Sequence, residues 1–238
     1  MGFPCIVIII LSAVSCGFAG DIVLNVPPEC RQILRVTTRS WDENAGTMLR
    51  LQKSPEGKWS EVGKPIPVSV GRNGLAWGRG FHEGKAPGPV KKEGDGRAPA
   101  GVFSFGTAFG YAEKAPAGCR LPYRQATEHD YFVDDPKSPY YNQWVHFRGE
   151  KKPWGSAESM RLRNHLYELG FVVNHNMKPP VENAGSAIFI HIWRGPGMPT
   201  AGCTAMSREN VRVLLKWLNP EVKPVLIQSP EGVLGDRY

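Results

Sequence analysis

Several familiar catalytic signatures are missing from this 238-residue chain. Its six histidines (His82, His129, His146, His165, His175 and His191) form no HExxH or HxH pair, and no CxxC occurs. The tight ligand spacing of a zinc site is therefore absent. There is no Walker-type Gly-rich loop and no GxSxG. No basic–aromatic pattern is specific enough for nucleic acid, so none is expected as a partner. Internal repeats and long linkers are lacking too. The unbroken aliphatic run from Ile6 to Leu11 sits in an apolar stretch that ends near Val14, short of the roughly 20 residues of a membrane span.

What is present reads as an ordinary globular chain, with 41% hydrophobic and 21% charged residues. Glycine (27) and proline (21) together exceed the roughly 12% of an average sequence, which argues against a helical bundle and for short strands joined by turns. A net charge of +7 permits a polyanionic partner without choosing one.

Residues 1–20 carry no charged side chain, and Gly17-Phe18-Ala19 places small residues at the −3 and −1 positions of a cleavage site. A secretion signal over 1–19 is expected. Ala13-Val14-Ser15-Cys16 also loosely fits a lipoprotein signal ending before Cys16, which would tie the protein to a membrane. A buried N-terminal strand is the non-targeting alternative. Either signal predicts export to the periplasm or cell envelope. Cleavage after Ala19 leaves Cys30, Cys119 and Cys203, an odd number, so one thiol stays free after any pairing. Cys30–Cys119 is a candidate bridge.

Strands are predicted over residues 47–53, 64–71, 102–105, 131–134, 143–147, 171–175, 187–193 and 222–227. Helices are predicted over 157–169, between Ser156 as N-cap and Gly170 as C′ residue, and over 208–218 after Ser207. The second carries Val211, Leu214, Leu215 and Leu218 at i, i+3, i+4 and i+7, a core-facing stripe. Residues 71–101 hold nine glycines and read as a structured long loop that Lys85, Lys91, Lys92 and Arg97 make basic, with a plain solvated loop as the alternative.

Chemistry concentrates between Gly185 and Met206. In a strand, Ile188, Ile190 and Ile192 face one way, and Ala187, Phe189, His191 and Trp193 the other. His191 taken alone reads better as a satisfied structural histidine. Cys203 lies in the small-residue turn Thr200-Ala201-Gly202-Cys203, just before the predicted helix. A thiol near a helix N-terminus and a histidine is expected to have its thiolate favoured, and the turn's amides to suit an oxyanion. Spacing alone leaves an inert buried cysteine, or half of a disulfide, as the alternative.

Three ordered blocks carry a resemblance. KEGDGRAPAGVF (92–103), FIHIW (189–193) and TAGC (200–203) resemble the early GDG hairpin, the histidine strand and the [ST]-x-G-C nucleophile block of the YkuD-type L,D-transpeptidase catalytic domain. SPYYNQ and SAESM also resemble one branch of that family. The resemblance implies a mainly β fold, a curved sheet or sandwich with two short helices. It divides the chain into N-terminal strands at 20–61 packing on a catalytic domain at 62–228, with a tail at 229–238. It implies a cysteine acyltransferase of peptidoglycan that needs no cofactor. Cys203 would be the nucleophile and His191 the acid/base, with Gly202 and Cys203 amides as oxyanion donors. Thr200, Trp193 and Arg194 would bind substrate. The partners implied are peptidoglycan stem peptides, with a second stem, a wall-attached protein or water as acceptor; transfer to water would make the enzyme a carboxypeptidase or amide hydrolase. A non-catalytic wall-binding protein is a further alternative. Two departures stand out: a short interval from His191 to Cys203, and Ala205 where arginine is common, with Arg194 or Arg208 as substitutes.

Overall fold

The computed structural model describes residues 22–84, 86–177 and 179–234. The expected signal at 1–19, with its lipobox and Cys16, lies outside them, as does Lys85.

The central sheet closes on itself. β2 (Gln32–Thr38) runs antiparallel to β3 (Ala45–Lys53), which pairs onward with β5 (Ile66–Ser69) and carries β4 (Trp59–Glu61) at one end. β5 meets β15 (Thr204–Met206), which lies parallel to β14 (Phe189–Ile192). Next come β13 (Leu169–Val173) and the long β8 (Ala98–Gly110), both antiparallel to their neighbours. β16 (Val225–Pro230) then joins β8 to β2 and completes a ring of eight strands. Closure satisfies the backbone groups that an open edge would expose. Both sides of residue 62, β2 to β4 and β5 onward, share this sheet, and residues 229–230 are the end of β16.

Smaller elements attach outside the ring. β6 (Leu75–Trp77) and β9 (Tyr123–Gln125) extend β8, and β1 (Val23–Leu24) pairs with β7 (His82–Glu83). β10 (Asp130–Val133) lies between β11 (Trp144–His146) and β12 (Ala157–Ser159) in a separate antiparallel sheet.

Alternation along β14 produces two cores. Ile188, Ile190 and Ile192 join the main core, with Ile33, Leu34, Phe103, Phe171 and Leu226. Phe189 faces the other way, into a second core with Phe109, Phe132, Met160, Tyr167 and Cys203. There Phe189 meets Phe132, Phe109 and Tyr167 edge-to-face at 5.1, 5.4 and 5.6 Å. Burying each such ring contributes about 1.5–3 kcal/mol relative to exposure. The second core is thus the glue between the ring and the three-stranded sheet.

Helix α1 (Arg208–Trp217) forms as its sequence predicts. Ser207 caps it by accepting the Asn210 N–H, Glu209 and Lys216 suit its two ends, and Val211, Leu214 and Leu215 are buried. The mainly β expectation holds, with this α-helix and a 3-10 turn at Pro220–Val222. That turn occupies the start of the strand predicted at 222–227, so the strand begins at Val225.

The helix predicted at 157–169 does not form. Residues 157–159 are captured by β10 as β12, and Asn164 Oδ1 accepts the Leu166 N–H in a local turn. Gly170 is not a helix terminator but a strand residue paired with His191; a Cβ there would come 2.6 Å from the Phe109 ring. Cys30 and Cys119 are both free, so the candidate bridge is not formed. Cys30 is buried with its thiol on the Gln32 carbonyl, whereas the Cys119 thiol turns to that of Leu121.

Candidate active site

Parallel pairing of β14 with β15 brings His191 and Cys203 onto one wall. Ile190 pairs with Thr204 and His191 with Ala205, which sets Cys203 one step before β15, level with Phe189. The Phe189 N–H donates to Cys203 Sγ at 3.3 Å, and the thiol donates to the Ala187 carbonyl at 3.5 Å. His191 is two residues further along the same face, about 7 Å at the usual strand rise. Both side chains line a cavity of about 490 Å³, with Arg72, Glu158, Tyr167, Trp193, Arg194 and Thr200 among its walls. A larger depression of about 760 Å³, near Arg79 and His82, holds no cysteine. Among the described residues no cluster of three histidine, cysteine or acidic side chains is arranged to hold a metal.

The imidazole is fixed by its backbone. His191 Nδ1 lies 2.8 Å from the Ile192 carbonyl. A carbonyl only accepts, so Nδ1 carries the proton and Nε2 keeps its lone pair. Tyr167 packs edge-on against the ring at 5.2 Å. Burial pushes the His191 pKa down to about 4, against the Ile192 bond, with Arg194 adding to the fall. Burial likewise pushes the Cys203 thiol up to about 12; the Phe189 N–H opposes this, and Glu158 reinforces it. The resting pair is thus a neutral thiol and a neutral imidazole. The expectation of a favoured thiolate is corrected: β15 separates Cys203 from α1, and desolvation outweighs any helix field.

The nucleophile turn is tied by Thr200. Its hydroxyl donates to the Cys203 carbonyl at 2.6 Å and accepts the Gly202 N–H at 3.1 Å. The Gly202 amide, expected at an oxyanion, is thereby engaged within the turn. The Thr200 N–H reaches the Val70 carbonyl and its own carbonyl takes the Arg72 N–H, so the turn rests on the segment after β5.

Behind that segment lies the GDG block. Asp95 accepts from Lys91 Nζ at 2.6 Å and from the Lys92 and Arg97 amides, while Arg97 holds Asp42 and the Trp41 and Leu75 carbonyls. Lys91 is only 5% exposed, which removes this cation from the solvated loop expected, whereas Lys92 is exposed. A Cβ on Gly202 would stand 3.1 Å from the Arg97 carbonyl, so the block also sets how closely the turn is seated.

On the opposite side, Asn142 governs the thiol's backbone partners. Its Oδ1 accepts the Ala187 N–H while Nδ2 holds the His175 and Asn176 carbonyls. Ala187 is kept in the left-handed region (φ +52°), at a cost of about 1–2 kcal/mol. Its carbonyl is the one that receives the thiol.

Of the residues expected from sequence, Cys203, His191, Thr200, Trp193 and Arg194 line the same cavity, and Gly202 lies in the turn at its wall. Arg194 and Arg208 part company. Arg194 is at the cavity, whereas Arg208 pairs with Glu168 at 2.6 Å and borders a different depression. Ala205 is fully buried between His191 and Ser69 in the neighbouring strands. Sequence reasoning missed Glu158, Tyr167 and Arg72. The first two were hidden by the helix predicted across them; only the pairing of β12 with β10 turns Glu158 toward the cysteine.

No curated protein matches the chain. The family model YkuD, the L,D-transpeptidase catalytic domain, matches residues 46–227, from the start of β3 into β16. A match across most of the sequence, on a fold that brings the two expected reactive side chains to one cavity, shows that the chain belongs to the YkuD family of L,D-transpeptidase catalytic domains, enzymes whose substrates are peptidoglycan stem peptides.

Proposed function

We propose that the protein is an exported L,D-transpeptidase of the periplasm or cell envelope, with Cys203 as nucleophile and His191 as general base and acid. The supporting observation is the shared wall: a thiol and an imidazole on one face of adjacent parallel strands, opening into one cavity. In the reaction, His191 Nε2 takes the Cys203 thiol proton as sulfur attacks the carbonyl between the diamino acid's L-centre and a terminal D-alanine. The imidazolium returns that proton to the departing D-alanine amine, leaving a thioester. An incoming amine then attacks the thioester, His191 accepts its proton, and the thiol is restored as the new amide forms. The Cys203 amide is the oxyanion donor in this scheme, since the Gly202 amide is held by Thr200. Trp193 and Arg194 contact the donor, Arg194 through its carboxylate.

Incubation with a stem tetrapeptide tests this by intact mass. The wild type gains an acyl adduct with loss of D-alanine, and Cys203→Ala gains none. An equal adduct on Cys203→Ala, or none on wild type, sinks the assignment. A hydrolytic outcome has its own motive. Ala205 replaces the guanidinium common beside the nucleophile, and Arg208 is committed to Glu168. Cross-linked dimers among the products indicate transfer to a second stem, shortened monomers alone indicate water, and retention of a wall-attached protein indicates a protein amine.

A further inference from the structure

Glu158 is the unusual group in the cavity. It stands on β12, half-buried beside Cys203, and forms no ion pair among the described residues. Its hydrogen-bond donor is the Tyr167 hydroxyl, and Tyr167 is the ring packed on His191. A second acid acts on it. Asp134 follows β10, next to the Val133–Ala157 pair, and its Oδ1 is buried without a hydrogen-bond partner among the described residues. Two carboxylates without an ion pair among the described residues are costly in a desolvated wall. Cations lie at the mouth instead, where Arg72 and Arg194 are exposed. The cavity therefore carries negative charge inside and positive charge at its rim, the complement of an amino acid's ammonium and carboxylate.

We propose that Glu158 is a specificity-determining residue, its carboxylate receiving the side-chain ammonium of the donor's diamino acid, so that a donor with that amine free is selected over one with it blocked. This rests on the transpeptidase reading of the site. The same contact serves the chemistry. An ionised Glu158 opposes formation of the Cys203 thiolate, while Lys91 favours it. An ammonium bound to Glu158 removes that opposition when the donor arrives, and Tyr167 links the occupied carboxylate to the base. The thiol is thereby quiet in the empty cavity and ready in the filled one.

Two stem tetrapeptides, one with the diamino acid's side-chain amine free and one with it acetylated, test the proposal on wild type and Glu158→Gln. Wild type is expected to be acylated at least about tenfold faster by the free-amine donor. Glu158→Gln should lose that preference, the acetylated donor acylating the variant at least as fast as it acylates wild type, because the opposing carboxylate is gone. Equal use of both donors by wild type, or a parallel fall with both in the variant, overturns the proposal, the second because it marks general damage to the fold. If wild type accepts neither donor, the reaction assignment fails on its own, and protection of Cys203 from iodoacetamide by the free-amine peptide becomes the readout. Protection in wild type that is lost in Glu158→Gln sustains the amine site, and absence of protection overturns it.

Discussion

Asp130 offers a test of how the small sheet is held over the cavity. Its side chain is 2% exposed at the start of β10, the middle strand of that sheet, yet it stays ionised. Burial alone would raise its pKa; hydrogen bonds from the Thr127 hydroxyl and amide and from Trp144 Nε1, with the Arg124 guanidinium, outweigh that and hold it at about 2 against an ordinary 3.8. At about 1.36 kcal/mol per unit, this difference corresponds to about 2.5 kcal/mol of stability. Because the folded value is depressed, the contribution is complete above the unfolded value and is lost as pH falls through the folded one, between about pH 5 and 2. Asp130→Asn removes it and turns an amide against the Thr127 and Trp144 donors, so the full cost at pH 7 should reach about 3–5 kcal/mol. Urea unfolding of both proteins from pH 7 to pH 2 checks this. The gap between them should narrow by about 2 kcal/mol by pH 2, where the folded carboxyl is still half ionised. A gap that is constant with pH, or smaller than about 1 kcal/mol throughout, refutes the reasoning. Arg124→Gln is the milder control, because its guanidinium is 38% exposed and solvent already screens the pair.

Thr200→Val removes the donor to the Cys203 carbonyl and the acceptor of the Gly202 amide; about 1–3 kcal/mol of stability and most of the acylation rate should go, and Thr200→Ser should recover both in melting and adduct-formation assays. With no disulfide between Cys30 and Cys119, a reductant should leave the melting temperature unchanged, and a drop of several degrees would speak for a bridge. A maleimide should label the half-buried Cys119 before Cys30 and Cys203, by mass spectrometry of the folded protein.

Much of the site was legible because it rests on local patterns. The period-two alternation through Ile188, Phe189, Ile190 and His191 is what separates the two cores, and the Ser207 cap with its apolar stripe marks α1 without tertiary help. The segment from Ala157 failed for the opposite reason. Ser156 and Gly170 are boundary signals without a stripe between them, and β10, a strand from elsewhere in the sequence, decided its conformation. Glu158 and Tyr167 went unseen with it. The thiol's character was misjudged because proximity to a helix can be read from sequence, whereas desolvation depends on what Phe109, Phe132 and Phe189 pack over it.

The position of β16 sets the order in which the molecule can assemble. Its partners are β2, from the beginning of the described chain, and β8, from the middle, and Val225, Leu226 and Ile227 are buried between them. The last strand among the described residues is therefore a middle stave rather than an edge. During synthesis, the ring stays open until residues 225–230 have emerged, and both flanking strands wait with one edge unpaired. Contacts of such long sequence separation slow folding and leave intermediates prone to association. A chain ending before Val225 would keep the cysteine and histidine blocks intact and still lack the strand that closes the barrel around them.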